Sequence, residues 1–394
     1  MSEKIQVFFD ISIEEQNIGR IVFELFKSEA PLATENFLHL CRGDLTKTIN
    51  GEAKQLTYKN NFFHRIVKTF MIQAGDIIYG SEKFEKSDDI GKGGCSIYAT
   101  DDEIAEPVDL PCYGKFRDEN LGEFTEPFYL AMVTTGEPDS NTSQFFIMTG
   151  TAPHLNNKHT IFGKVIHGKS VVRTVEHANV DSDGFPEKRI RISECGEWNN
   201  TMPIPLYNAS NNLIGGDIYE EYPDDDKTFD PEDFNKAYEA AFTIKESGSQ
   251  LFRLKDFQNS FFKYKKSLNY INMFIPEGEV DKENNLKFLE LKTKVYLNLS
   301  LLSFNLKNID GCITYAKYAL ESPGIENKDK AKAYYRIGNA YLNKKAYDDA
   351  LTNYNLCKEN NPDDKVIDVK IVNVENIIEQ NKERTKKNIA KFFS

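Results

Sequence analysis

The sequence predicts two domains: a closed antiparallel β-barrel with two capping helices, then an all-α superhelix of stacked helix pairs. Three observations lead there. Through residue 196 the chain is a succession of short runs rich in Phe, Ile and Val, broken by turns. From 197 to 232 it changes to Asn, Pro, Gly and acid with few aliphatics, the composition of a solvated linker. From 233 to 394, apolar residues recur at helical spacing in three units that share one frame. A chain of 394 residues also exceeds the size at which a single core stops growing.

IQVFFDISI (5–13) and GRIVFELF (19–26) read as the first strands. In SEAPLATENFLHLCRG (28–43), Pro31 stands near a helix start, and Leu32, Phe37, Leu38 and Leu40 follow helical spacing. FFHRIV (62–67), FMIQAGD (70–76), FYLAMVTT (128–135), SQFFIMTG (143–150), TIFGKVI (160–166) and KRIRISECGEW (188–198) read as further strands. HGKSVVRTVEHANV (167–180) reads as the second helix. Alternation along the strands sends Phe63, Phe145 and Ile147 inward and leaves Arg65, Phe70, Met71 and Gln73 on the opposite side. His64 reads as a core residue. In the C-terminal half, Gly248, Ser300 and Gly338 align, and twelve residues on come Ser260, Cys312 and Ala350. Four further on are Tyr264, Ala316 and Tyr354, and a long helix from Val366 closes the chain.

Composition excludes several classes. At 40% hydrophobic and 28% charged residues the chain reads as a soluble globular protein. No apolar run reaches the roughly 18 residues of a membrane span, and the acidic N-terminus is not a secretion signal, so no membrane partner and a cytoplasmic location are expected. Six scattered cysteines without a CxxC pair predict free thiols and no metal site. A net charge of −12 argues against nucleic acid as a partner. The charge is uneven: residues 231–394 hold 27 Lys and Arg against 23 Asp and Glu, whereas residues 1–230 hold 22 against 38.

An arginine among aromatics, as Arg65 is in FFHRIVKTFMIQAGD (62–76), is seldom buried unless paired or functional. That block, TSQFFIMTG and HLNNKHTIFGKV occur in this order, and over about residues 3–196 the chain resembles the cyclophilins, peptidyl-prolyl isomerases built on an eight-stranded barrel. The third helical unit, with Tyr334, Ile337, Gly338, Tyr341, Ala350, Tyr354 and Pro362, is similar to the tetratricopeptide repeat. As a whole the chain resembles the forty-kilodalton cyclophilins, co-chaperones of the ninety-kilodalton heat-shock chaperone. RGDLTKTINGEAKQLTYKN (42–60) is similar to the divergent loop of that class.

The resemblance implies Arg65 as the catalytic donor and Gln73 as its orienting partner. It implies a proline pocket of Phe70, Met71, Phe146, Leu155 and His159, with Gln144 and Thr134 along the groove and His154 at its edge. No cofactor is implied. Three departures bear on the groove: Val133-Thr134-Thr135 replaces Ala-Asn-Ala, His154 replaces a tryptophan, and Lys68-Thr69 replaces Pro-Gly. An acidic insertion, ATDDEIAEPVDLP (99–111), is a further one. The expectation is an active isomerase, slowed if anything by the narrower groove, acting on proline-containing client proteins.

Lys245, Ser249, Asn298, Lys332 and Arg336 match the positions with which such helical domains grip a C-terminal EEVD peptide of heat-shock chaperones. Ser249 stands where the family has Asn. KERTKKNIAKFFS (382–394) has the pattern of a calmodulin-target helix, the plainer reading being a solvated helix end. The alternative to a chaperone-bound isomerase is a non-catalytic adaptor whose first domain only binds proline-containing segments.

Overall fold

A computed structural model describes residues 4–49, 51–81, 83–105, 111–199, 201–202 and 213–392. The chain divides into two compact units, Met1–Tyr207 and Asn208–Ser394.

The first unit is an eight-stranded antiparallel sheet. Its strands are β1 (Ile5–Ile13), β2 (Gln16–Leu25), β5 (Arg65–Val67), β6 (Met71–Ala74), β9 (Tyr129–Met132), β10 (Phe145–Met148), β11 (Ile161–His167) and β12 (Ile190–Glu197). Their order is β12-β1-β2-β11-β9-β10-β6-β5. The residues leading into β5 return to β12: Phe63 N donates to Ile190 O at 2.9 Å and Ile192 N to Asn61 O at 2.8 Å. The sheet thus curls until its ends meet, which removes exposed edges.

Two helices cap it, α1 (Pro31–Arg42) and α3 (Lys169–Glu176). Pro31 opens α1 without a capping side chain of its own, and Glu119 instead accepts the free N–H groups of Leu32 (2.9 Å) and Ala33 (3.1 Å). Phe37 of α1 enters a fully buried aromatic core with Phe9, Phe23, Tyr58, Phe145 and Phe162. The alternation read from the sequence holds. Phe63, Phe145 and Ile147 join this core, while Met71, Phe146 and Met148 join a separate apolar cluster. The divergent stretch after α1 is a hairpin of β3 (Leu45–Ile49) and β4 (Glu52–Leu56). Within the acidic insertion α2 (Asp101–Ala105) buries Ile104, and residues 106–110 lie outside the described residues. A short parallel pair, β7 (Gly94–Cys95) and β8 (Cys112–Tyr113), flanks it.

The second unit is helical: α4 (Phe234–Arg253), α5 (Phe257–Phe274), α6 (Lys282–Asn305), α7 (Ile309–Leu320), α8 (Asn327–Asn343), α9 (Tyr347–Asn360) and α10 (Lys365–Phe392). Asp233, Asp256, Asp281 and Asn308 cap the first four by accepting the N–H three residues on. The shared frame has a steric cause. A Cβ at Gly338 would lie 2.5 Å from the Tyr354 ring, and one at Gly248 would lie 3.3 Å from Tyr264. At the third aligned position, Ser300 Oγ donates to Cys312 O at 2.8 Å. The frame extends to the turns, where Lys255, Lys307 and Lys345 have φ of 63°, 62° and 60°.

The acidic stretch differs from the solvated linker expected. Residues 203–212 lie outside the described residues, but 213–232 pack against the helices. Asp217 is fully buried and accepts from Lys263 and from Lys266 (2.9 Å), both buried on α5. Tyr270 OH donates to Asp226 at 2.5 Å, and Phe229 packs on Phe274. Asp217 is a buried partner for buried cations and Asp226 for a tyrosine hydroxyl, roles that composition alone cannot distinguish from solvation. Among the described residues, no helix is long and apolar enough to cross a membrane.

Candidate functional site

Three strands set the groove of the first unit. Arg65, at the start of β5, is exposed and lies in register opposite Gln73 of β6, which in turn lies opposite Phe146 of β10. The charge is therefore on the surface, and the surrounding aromatics are on the alternate side or beside it. Met71 and Phe146 belong to the cluster against which Phe70 and Leu155 pack. His159 meets the Phe146 ring edge-on at 5.2 Å, and its Nδ1–H donates to Met132 O at 3.1 Å. Burial holds His159 below its ordinary pKa, against the pull of that carbonyl. His154 is exposed and lies on Phe70 with ring centres 5.2 Å apart. Thr134 stands apart, half-buried in the loop after β9, while its neighbour Val133 reaches the cluster.

A buried hydrogen-bond chain fixes the polar side. Gln73 Nε2 donates to Gln144 Oε1 at 3.0 Å, and Gln144 Nε2 donates to the carbonyls of Gly91 (2.9 Å) and Gly93 (2.6 Å). The same two glycines donate their N–H groups to the Asp76 carboxylate at 2.8 and 3.2 Å, beside those of Ile78 and Tyr79. Burial pushes the Asp76 carboxyl up in pKa, and these four bonds oppose it. His64 sits behind Gln144 with neither ring nitrogen in a hydrogen bond. Burial, and secondarily the Arg65 charge, pulls its pKa down to about 4, so the ring is neutral; the neighbouring Gln144 amide opposes this in part.

Sequence reasoning missed Asp76 and Phe124. Phe124 is 1% exposed and lies 5.9 Å from the Phe146 ring. Phe124 sits in no run read from the sequence and Asp76 only closes one, so the fold alone brings them to the groove. The turn carrying Phe70 is also unusual: Thr69 takes φ 59°, a left-handed conformation unfavourable for a β-branched residue. Its N–H is held by the buried Glu176 at 2.7 Å, and Arg173 pairs with Glu176 at 2.9 Å.

In the second unit, Lys245 and Ser249 lie one turn apart on α4, and Ser249 Oγ is 3.1 Å from Tyr264 OH. Tyr264 feels the charge of Arg336, whose guanidinium donates to the carbonyl of Leu297, next to Asn298. Burial pulls the Arg336 pKa down to about 10, which leaves it charged at neutral pH. Lys332, one turn before it, pairs with Asp329 at 2.7 Å. Lys332 and Arg336 line a 460 Å³ cavity; Lys245, Ser249 and Asn298 do not. Of the calmodulin-type pattern, Ile389 is exposed, and the side chains of residues 390–394 lie outside the described residues.

The family described as cyclophilin type peptidyl-prolyl cis-trans isomerase matches residues 8–197. Across the whole chain the sequence is similar to peptidyl-prolyl cis-trans isomerase CYP7 of Saccharomyces cerevisiae, 59% identical over 388 residues and 98% of each chain. It is similar also to peptidyl-prolyl cis-trans isomerase D of Kluyveromyces lactis, 34% identical over 397 residues and 100% of each. With that fold and those relatives, the chain belongs to the cyclophilin-type peptidyl-prolyl cis-trans isomerases.

Proposed function

We propose that this isomerase acts through Arg65 and is carried to its clients by a chaperone's C-terminal peptide held in the helical unit. Rotation about an X–Pro bond faces a barrier of roughly 18–20 kcal/mol from amide resonance. A catalyst need only bind the twisted amide better than either planar form. Twisting returns a lone pair to the prolyl nitrogen, and the Arg65 guanidinium is a permanently charged donor for it. The apolar cluster of Met71, Phe146 and Leu155 would receive the ring, with Phe70 and His159 as walls. Gln73, fixed by Gln144, would orient the arginine and substrate backbone. The observation that carries this reading is the register of Arg65 with Gln73 beside that cluster. An isomerisation assay on an X–Pro peptide, with Arg65→Ala as control, tests it. Equal rates for the two proteins at background level would favour the non-catalytic adaptor instead.

The docking half rests on the link from Ser249 through Tyr264 to Arg336, and from Arg336 to the Asn298 strip of α6. These positions would hold the paired carboxylates of a chain end finishing in aspartate. Ser249, already bonded to Tyr264, offers a shorter reach than Asn would. Titration of a peptide ending in MEEVD against Lys332→Ala and Arg336→Ala tests it; binding that survives both changes would refute the docking. A cytoplasmic location accords with this partner and with six free cysteines.

A further inference from the structure

The turn from β5 to β6 carries the groove from Arg65 to Met71, and Thr69 stands in its middle with φ 59°. Glycine takes that conformation freely, whereas a β-branched residue left to itself turns away from it. A ring of hydrogen bonds holds it there. Thr69 N–H donates to Glu176 Oε1 at 2.7 Å, and Arg173 Nη1 donates to Glu176 Oε2 at 2.9 Å and to Thr149 O at 2.7 Å. Thr149 N–H donates in turn to Phe70 O at 2.9 Å, which closes the ring on the residue after Thr69. The backbones are also in close contact, because a Cβ at Gly150 would collide with Thr69 O.

We propose that Glu176 and Arg173 of α3 are positioning residues for the isomerase: they hold Thr69 left-handed and so fix Phe70 as a wall of the proline pocket. The inference rests on the groove assigned above and adds two residues that touch no substrate. Glu176 is 2% exposed, and the Arg173 guanidinium lies 4.9 Å from the centre of the Phe128 ring. Apolar residues in place of a buried ion pair often fold as stably, so stability alone does not account for one here. Its geometry does. One carboxylate oxygen takes the turn, and the other takes the arginine that holds the residue following β10. Phe70 stands between these two anchors, packed on the cluster of Met71 and Phe146. A wall contact serves the planar and the twisted amide alike, so displacing the wall raises KM and leaves kcat in place.

The test measures kcat and KM on an X–Pro peptide for the full chain and its variants. Glu176→Gln, which weakens the bond to Thr69, should raise KM about three- to tenfold, the worth of one hydrogen bond, with kcat within about twofold of the parent's. Glu176→Asp keeps a charge beside Arg173 but retracts it from Thr69. It should give the same rise, and it carries the test if the glutamine variant does not fold. In a Thr69→Gly background the left-handed turn needs no support, so the same Glu176 changes should raise KM less than about twofold. A merely structural Glu176 would instead lower the folded fraction, and with it the apparent kcat, equally in both backgrounds. Unchanged KM in both Glu176 variants, or a rise of equal size in the Thr69→Gly background, would overturn the positioning role while leaving the groove intact. An Arg65→Ala chain as fast as the parent would overturn the groove assignment and the positioning with it.

Discussion

The two units handle charge in opposite ways. In the barrel, the charge assigned to chemistry, Arg65, is exposed, and what lies buried beside it is a chain of hydrogen bonds from Gln73 through Gln144 to the Gly91 and Gly93 carbonyls. In the helical unit the fully buried groups are ions, Asp217 with Lys263 and Lys266, while Lys328 and Lys332 of the cavity are exposed. A buried ion that loses its partner costs several kcal/mol, whereas an exposed one costs little. The same kind of substitution should therefore separate stability from function differently in each unit.

The largest effect should come from Asp217→Ala, which removes the buried carboxylate that two buried ammonium groups share and should cost the helical unit about 3–5 kcal/mol. Urea unfolding followed by helical circular dichroism measures it; an unaltered midpoint would break the contrast. Arg65→Ala should cut kcat/KM on an X–Pro peptide by about 100-fold, the scale seen when one preorganised donor is lost. Its thermal midpoint should stay within a degree or so of the parent's, because exposed substitutions outside such features change stability by about 0.5 kcal/mol or less.

The buried hydrogen-bonded side of the barrel predicts a pH effect. His64 has a pKa of about 4 in the fold against 6.5 as an ordinary histidine, so the unfolded chain takes up the proton first. Its contribution is intact above about pH 6.5 and is lost as pH falls toward 4, up to about 3 kcal/mol. The difference in unfolding free energy between the parent and His64→Gln, followed from pH 7 to 4, isolates it; parallel curves would refute the assignment. The smallest effect is a gain: Thr69→Gly should relieve the left-handed strain and raise stability by about 1 kcal/mol, read as a higher melting temperature.

Legibility followed the same divide. Period-two alternation settled which way Phe63, Arg65, Phe145 and Ile147 face, because a strand's faces are written locally. Gly248, Ser300 and Gly338 marked the helix crossings because close approach requires small residues there. What stayed hidden depends on partners distant in the chain. Asp76 matters through backbone groups 15 and 17 residues away, Phe124 through β10, and Asp217 through lysines 46 and 49 residues on. The acids of 213–232 looked solvated because a buried ion pair and a hydrated tail have the same composition.

The docked segment also decides where this protein can be cut. Asp233, the cap of α4, looks like the natural first residue of an isolated helical fragment. A fragment begun there would lack Asp217, Asp226 and Phe229, and would leave Lys263, Lys266 and Tyr270 facing solvent or one another. Anyone expressing the helical half alone should begin before Leu213.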